Sequence, residues 1–393
     1  MAREAFITLW REEAGFTNLL NGFSFVAHLF PDADHWLVDH CNSDERLQAL
    51  VKQRYDKIYF SFSFSSQYQK ISPYLNDRWV IGGPAASVLH RFHVDTPAEI
   101  VLGSFEEYLG IETSCRFTDY WRDHLDQLPA KKLVYNCSVG NRCYWNKCTF
   151  CDSGLYGSDD CERRAIGSVL AQLRPISIGT STVRLSTDSM TPKQFEEVMR
   201  SPIRRKIPLS FMFRADPAFT RVLKTTKHDT RGLYVSMGVE VLSQAGMDIL
   251  NKGIDINDVF EITRLFIEKG GKVKWFLMNR HPFMTKAMAD DCIANIQRMK
   301  KEFGKFPKYK LMIKNVGPTY WPTEATAQTF GKYRHVKQNM WEAYLNLPSE
   351  AVLDQDRRIN CALRDSGIVQ LYPEWYDTIT RTKKPRKDIE PLF

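Results

Sequence analysis

Along Lys57–Ser66 (KIYFSFSFSS) apolar and polar residues alternate. Ile58, Phe60, Phe62 and Phe64 fall on one face, and Tyr59, Ser61 and Ser63 on the other, which is the period of two that marks a strand. AFITLW (5–10) is a second candidate strand, and the apolar runs RWVIGGPAAS (78–87) and EIVLGSFEEYLG (99–110) add two more. Between them, Asn42 and Glu45 form a capping box that opens a helix to about Tyr55, and the Ser104–Glu107 pair opens another after the last strand. FTNLLNGFSFVAHLF (16–30) reads as a buried amphipathic helix. Strands that end in Ser or Gly turns and feed helices predict a doubly wound, Rossmann-like parallel sheet over residues 1–115, with ligands beyond the carboxyl ends of its strands. FTDYWRDHLDQLPA (117–130) is expected to be a linker helix, spanning 116–130.

From 131 to 320 the rhythm repeats. KLVYN, TVRLST, PLSFMFR, GLYVSMG, KVKWFLMN and YKLMIKN are successive strands separated by helical patterns. Thr191, Pro192 and Gln194 supply a cap, a proline at the first helical position and a capping-box partner. INDVFEITRLFIEKGG (256–271) is a helix stopped by Gly270–Gly271. Six such units predict an α/β architecture: the Rossmann-like domain followed by a partial (β/α)6 barrel whose chemistry gathers at the carboxyl ends of its strands. Residues 321–393 form a C-terminal extension with a basic Pro-Lys-rich tail.

Composition narrows the class. The chain has 393 residues, with 43% hydrophobic and 25% charged, the balance of an ordinary globular protein. Charges flank the short apolar run at the start, which is unlike a secretory leader, and no run is long enough to span a bilayer. A cytoplasmic protein without membrane contact is expected. The net charge of +8 permits a polyanionic partner without requiring one, and its excess is partly local, in RMKKEFGKFPKYK (298–310) and RTKKPRK (381–387).

Four of the nine cysteines crowd one window: Cys137, Cys143, Cys148 and Cys151. The others, Cys41, Cys115, Cys161, Cys292 and Cys361, are scattered and read as isolated buried thiols. A disulfide framework does not suit a chain with no secretory signal, so the cluster points to metal. Two chemistries compete. Four thiolates could close a structural zinc site, although only Cys148 and Cys151 have knuckle spacing. Three could instead hold an iron–sulfur cluster and leave one iron open.

CYWNKCTFC resembles the cluster loop of the radical S-adenosylmethionine (SAM) superfamily, whose usual pattern is Cys-x3-Cys-x-aromatic-Cys after the first barrel strand. Here the first gap is one residue longer, Phe150 fills the aromatic slot, and the loop follows KLVYN. The resemblance implies a 4Fe–4S cluster on Cys143, Cys148 and Cys151, with Cys137 a supporting thiol. GLYVSMGVEVLSQAGMDILNKGI (232–254) resembles the family's fourth strand and following helix, where a Gly-x-Glu stretch precedes a Lys-Gly pair. Glu240 is then the group that hydrogen-bonds SAM. FMFRADP (211–217) resembles the end of the third strand, which implies that Arg214 pairs with the ligand carboxylate and that Asp216 orients Arg214 or reaches the substrate. RLSTDSMT (184–191) places Ser186 and Asp188 at the second strand's end, and Asn279 and Asn315 end the fifth and sixth. The implied chemistry is one-electron cleavage of SAM to a 5′-deoxyadenosyl radical that abstracts hydrogen from the substrate, with a flavodoxin-type protein as the kind of electron donor.

WVIGGPAAS followed by EIVLGSFEEYLG resembles the tail of a cobalamin-binding domain, in which Gly-Gly and Gly-x-Glu turns border the corrin. The Asp-x-His-x-x-Gly motif that supplies a cobalt ligand is absent, so cobalamin, if bound, would lack that ligand. Two substrate classes follow. In overall form the chain resembles phage radical SAM enzymes that isomerise amino-acid-modified thymidine in viral DNA. A cobalamin-dependent methyltransferase acting on a peptide or small natural product is the alternative. A non-catalytic, zinc-stabilised nucleic-acid-binding protein is the reading from outside enzymology.

Overall fold

The computed structural model describes residues 3–13, 16–19, 30, 32–39, 44–61, 71–83, 86, 89–90, 95–102, 105–110, 133–139, 143–151, 166–172, 180–187, 189–281, 283–315 and 349–371. They fall into two compact units, residues 1–142 with 154–186, and residues 143–153 with 187–392. The expected linker helix at 117–130 and the tail lie outside the described residues.

In the first unit the strands are β1 (Glu4–Glu13), β2 (Phe16–Leu19), β3 (Asp34–Asp39), β4 (Lys57–Ser61), β5 (Trp79–Gly82), β6 (Glu99–Ile100), β7 (Leu133–Ser138) and β8 (Thr180–Ser186). Helices α1 (Asp44–Lys52) and α2 (Ile166–Gln172) accompany them. β1 pairs in parallel with β3 on one side and β4 on the other, and β5 and β6 continue outward. Numbered along the chain, these five strands lie in the order 2-1-3-4-5, one of the two common doubly wound arrangements. Its switch point falls between β1 and β4. β4 is buried on both faces, with Ile58, Tyr59 and Phe60 all in the core, as strands of a covered parallel sheet are. Phe6 stacks between Tyr59 and Phe30, with ring centroids 4.7 and 5.2 Å apart.

The helix expected over 16–30 is not formed at its described start, and residues 20–29 lie outside the described residues. Phe16–Leu19 is a strand, paired antiparallel with the end of β1 (Trp10 opposite Leu19) and parallel with β7. Backbone pairing with strands on both sides overrides a short apolar run that is equally compatible with a helix. At Gly82 packing also requires glycine, since a Cβ there would lie 2.3 Å from Cε2 of Phe105.

The second unit carries β9 (Leu209–Phe213), β10 (Leu233–Glu240), β11 (Lys272–Leu277), β12 (Leu311–Asn315) and β13 (Val369–Leu371), all parallel and paired in sequence order. Helices α3 (Pro192–Arg200), α4 (Pro217–Thr225), α5 (Gln244–Ile249), α6 (Ile256–Glu268), α7 (Lys286–Phe303) and α8 (Glu350–Ser366) alternate with them. The predicted capping box forms in full: Gln194 N–H donates to the Thr191 hydroxyl, and the Gln194 side chain accepts from Thr191 N–H. Strict alternation along β10 buries Leu233, Val235, Met237 and Val239. Phe195, Phe211, Phe213, Phe219 and Phe266 fill the layer between sheet and helices, with Phe213 and Phe219 stacked 4.2 Å apart. α8 and β13 come from the C-terminal extension. α8 is fastened by a fully buried ion pair, Arg280 Nε to Asp356 Oδ2 at 2.8 Å. Cys292 is buried as expected, whereas Cys361 is exposed because it lies on the outer face of α8. No described helix is long and apolar enough to cross a membrane.

Candidate functional site

The cysteine loop, 143–151, belongs to the second unit. Its start is set by backbone pairing: Cys143 bridges Ser189, whose hydroxyl accepts the backbone N–H of Arg214 at 3.2 Å. Farther along, the loop is fastened to the turn that follows α5. Thr149 N–H donates to the Leu250 carbonyl (3.1 Å), Trp145 Nε1 to the Asn251 carbonyl (2.8 Å), and Asn251 Nδ2 back to the Lys147 carbonyl (2.7 Å). The turn bends so sharply that Asn251 and Gly253 both adopt positive φ, 50° and 57°. A Cβ on Gly253 would lie 2.1 Å from Cζ2 of Trp145, so only glycine lets the indole sit there.

Cys143, Cys148 and Cys151 are all half-buried. Burial pushes the Cys148 thiol up to about 11, against the opposing pull of the Lys252 ammonium. Tyr144 beside them donates its hydroxyl to Asp216 Oδ2 at 3.3 Å, and burial together with that carboxylate raises its pKa. Among the described residues, no three Cys, His, Asp or Glu side chains are grouped closely enough to hold one metal ion. A three-thiol loop with a buried cation in electrostatic reach suits the larger, thiolate-held iron–sulfur cluster.

Glu240 ends β10 where the register with β11 shifts. Its φ of 66° is a left-handed conformation that costs a non-glycine residue of order 1–3 kcal/mol. The Glu240 carbonyl accepts from Met278 N–H at 2.6 Å, which holds the bulge. Its carboxylate accepts from Lys252 Nζ at 3.4 Å, both side chains being almost buried. Arg214, at the end of β9, is buried. Its guanidinium lies 4.1 Å over the Trp145 ring, and Nη2 donates to the carbonyls of Lys252 and Gly253. Nη1 has no hydrogen-bond partner, which leaves a buried cationic donor available to a ligand. Asp216 caps α4, accepting from Ala218 N–H at 2.9 Å. Phe150 faces the Lys252 ammonium at 5.5 Å.

Asn279 follows β11, 1% exposed, and neither amide atom has a partner. Ser186 and Asn315 are the last residues of β8 and β12, and Asp188 lies outside the described residues. The structure therefore brings Cys143, Cys148, Cys151, Phe150, Arg214, Asp216 and Glu240 into one neighbourhood. Sequence reasoning passed over Tyr144, Trp145 and Asn251 and gave Lys252 and Gly253 no role beyond the Lys-Gly pair, yet these five lock it. Their signals were the two aromatics after Cys143 and the Asn-Lys-Gly tripeptide.

No protein-family model matches the sequence, and no curated protein matches it. Solved structures do match. The radical S-adenosylmethionine methyltransferase TsrM from Kitasatospora setae, with cobalamin and a 4Fe–4S cluster bound, aligns with a TM-score of 0.52 at 12% identity, covering 80% of this chain and 75% of its own. The cobalamin-dependent S-adenosylmethionine radical enzyme OxsB aligns with a TM-score of 0.53 at 13% identity, covering 92% of this chain. The chain shares its fold with these two enzymes. It spans only 56% of the length of OxsB.

Proposed function

We propose that this protein is a radical SAM enzyme. Cys143, Cys148 and Cys151 hold the cluster, and SAM binds against Glu240 and Arg214. The observation that carries this reading is the fastening of the three-cysteine loop to the turn after α5, beside Glu240 and Arg214. Bound there, a 4Fe–4S cluster supplies the electron that cleaves SAM to methionine and a 5′-deoxyadenosyl radical. The chain's residues do the positioning. Glu240 accepts hydrogen bonds from the ligand's ammonium or hydroxyl groups, and Arg214 Nη1 donates to its carboxylate. Asn279 offers an unfilled donor and acceptor at the end of the neighbouring strand, and Phe150 helps close the site to water. Ser186, Asp188 and Asn315 remain candidate ligand contacts from the other strand ends.

For the substrate, the fold likeness to TsrM and OxsB and the 2-1-3-4-5 sheet favour cobalamin-dependent methyl transfer to a peptide or small natural product. The net charge of +8 is what supports isomerisation of an amino-acid-modified thymidine in viral DNA. In that case the protein would work in the host cytoplasm with a flavodoxin-type donor. Anaerobic reconstitution decides the first question. A brown, iron-loaded protein that produces 5′-deoxyadenosine from SAM, and loses both properties on Cys148→Ala, supports the reading. A colourless protein holding one zinc overturns it. Retention of a corrinoid then supports methyl transfer, and a steep salt dependence of DNA binding supports the nucleic-acid substrate.

A further inference from the structure

Lys252 stands out because its charged side chain is buried. It sits on the turn between α5 and α6 with its side chain 8% exposed. Among the described residues, Glu240 is its one ion-pair partner, at 3.4 Å. The ammonium also lies 5.5 Å from the ring of Phe150, between Thr149 and Cys151 of the cysteine loop. The turn that carries it is gripped from both sides: Arg214 donates to the Lys252 carbonyl, and Trp145, Thr149 and Lys147 bond to the two residues before it. The backbone that carries the ammonium is therefore fixed against the cysteine loop. The ammonium thus stands, buried, between the Glu240 carboxylate and the ring of Phe150, the residue before Cys151.

We infer that Lys252 is a positioning residue for charge: its buried ammonium favours the reduced state of the cluster proposed for Cys143, Cys148 and Cys151. The inference rests on that cluster reading. Reduction adds one electron to the cluster, taken from an external reductant, and makes it more negative. A fixed positive charge held nearby in a low-dielectric pocket favours the reduced form and raises the potential. A lysine that served only to neutralise Glu240 would leave the potential indifferent to its own charge.

The test is an EPR-monitored reductive titration, with dithionite and mediators, of the reconstituted full chain and of K252M, K252R and E240Q, with iron counted in each. At a fixed poise, the reduced-to-oxidised ratio of K252M is expected to fall at least tenfold, which is 59 mV for one electron. K252R, which keeps the charge, should stay within threefold of the parent. E240Q removes the opposing charge and should move the potential upward. A K252M protein with full iron and a ratio within twofold of the parent overturns the inference. Should K252M fail to take up iron, K252Q decides: a tenfold fall in the ratio supports the role of Lys252, and a ratio within twofold of the parent overturns it. If no form of the chain takes up iron, the cluster reading falls and this inference falls with it. Iron uptake with a charge-insensitive potential removes the role of Lys252 alone.

Discussion

Gly253→Ala tests whether the turn after α5 holds the cysteine loop. The native φ of 57° is accessible to glycine and costs alanine roughly 1 kcal/mol or more. The new methyl would also sit 2.1 Å from Cζ2 and 2.2 Å from Cη2 of Trp145. The indole cannot retreat freely, because Nε1 is bonded to the Asn251 carbonyl and the Arg214 guanidinium covers its face. Overpacking of this kind costs roughly 1–3 kcal/mol. The total is about 2–4 kcal/mol, which lowers Tm by roughly 5–15 °C for a unit of this size. Because Trp145 lies between Cys143 and Cys148, the displaced loop should also take up less iron on anaerobic reconstitution. Differential scanning fluorimetry and an iron assay read the two effects. Trp145→Ala removes the obstacle, so the double variant should lose at least ~1 kcal/mol less than the two single losses together. A G253A protein with parental Tm and iron content, or a strictly additive double variant, would refute the reasoning.

Other expectations follow from the same structure. Asp356→Ala leaves the Arg280 guanidinium buried without its carboxylate and should destabilise by about 3–5 kcal/mol in chemical denaturation, while a loss under 1 kcal/mol would mean that the pair is not buried in solution. Thr191→Ala removes the capping box of α3 and should cost about 1 kcal/mol with no change in iron content. His281 is buried with neither ring nitrogen bonded, and burial lowers its pKa to about 4. Its ordinary value is near 6.5, so the unfolded chain binds the proton first. Stability should therefore fall as pH drops from about 6.5 to about 4, by up to about 3 kcal/mol, and His281→Gln should flatten that part of the profile. The carboxyl of Asp229 is held far below its usual range by Arg231 and Arg204, so its contribution is present above pH ~4 and lost as pH falls further. Asp229→Asn should weaken the protein at pH 7 and reduce its acid sensitivity below pH 4, as urea midpoints at pH 3 and pH 7 would reveal.

Much of the second unit was legible in the sequence because its signals are local. Strand β10 alternates cleanly because one residue in two must face the core. The Thr191–Gln194 cap and the Gly270 stop act within a few residues of themselves. The spacing of Cys143, Cys148 and Cys151 is likewise covalent, and it named the candidate chemistry before any contact was known. The first unit was less legible. A short apolar run such as Phe16–Leu19 carries no period of its own, and its state was set by β1 and β7 on either side.

Strand order, and what stands beside the cysteines, belong to the tertiary structure. Trp145 and Asn251 are 106 residues apart, and Arg214 and Gly253 are 39 apart. No local propensity links such pairs, since they meet only when parallel strands place their carboxyl ends on one edge. The bulge that turns Glu240 left-handed arises from a register shift against β11, which exists only once the two strands pair. The chain's chemistry was written in residue types and spacings. The partnership of Lys252 with Glu240, and of Arg214 with Trp145, was decided by folding, because burial and charge pairing act through space rather than along the chain.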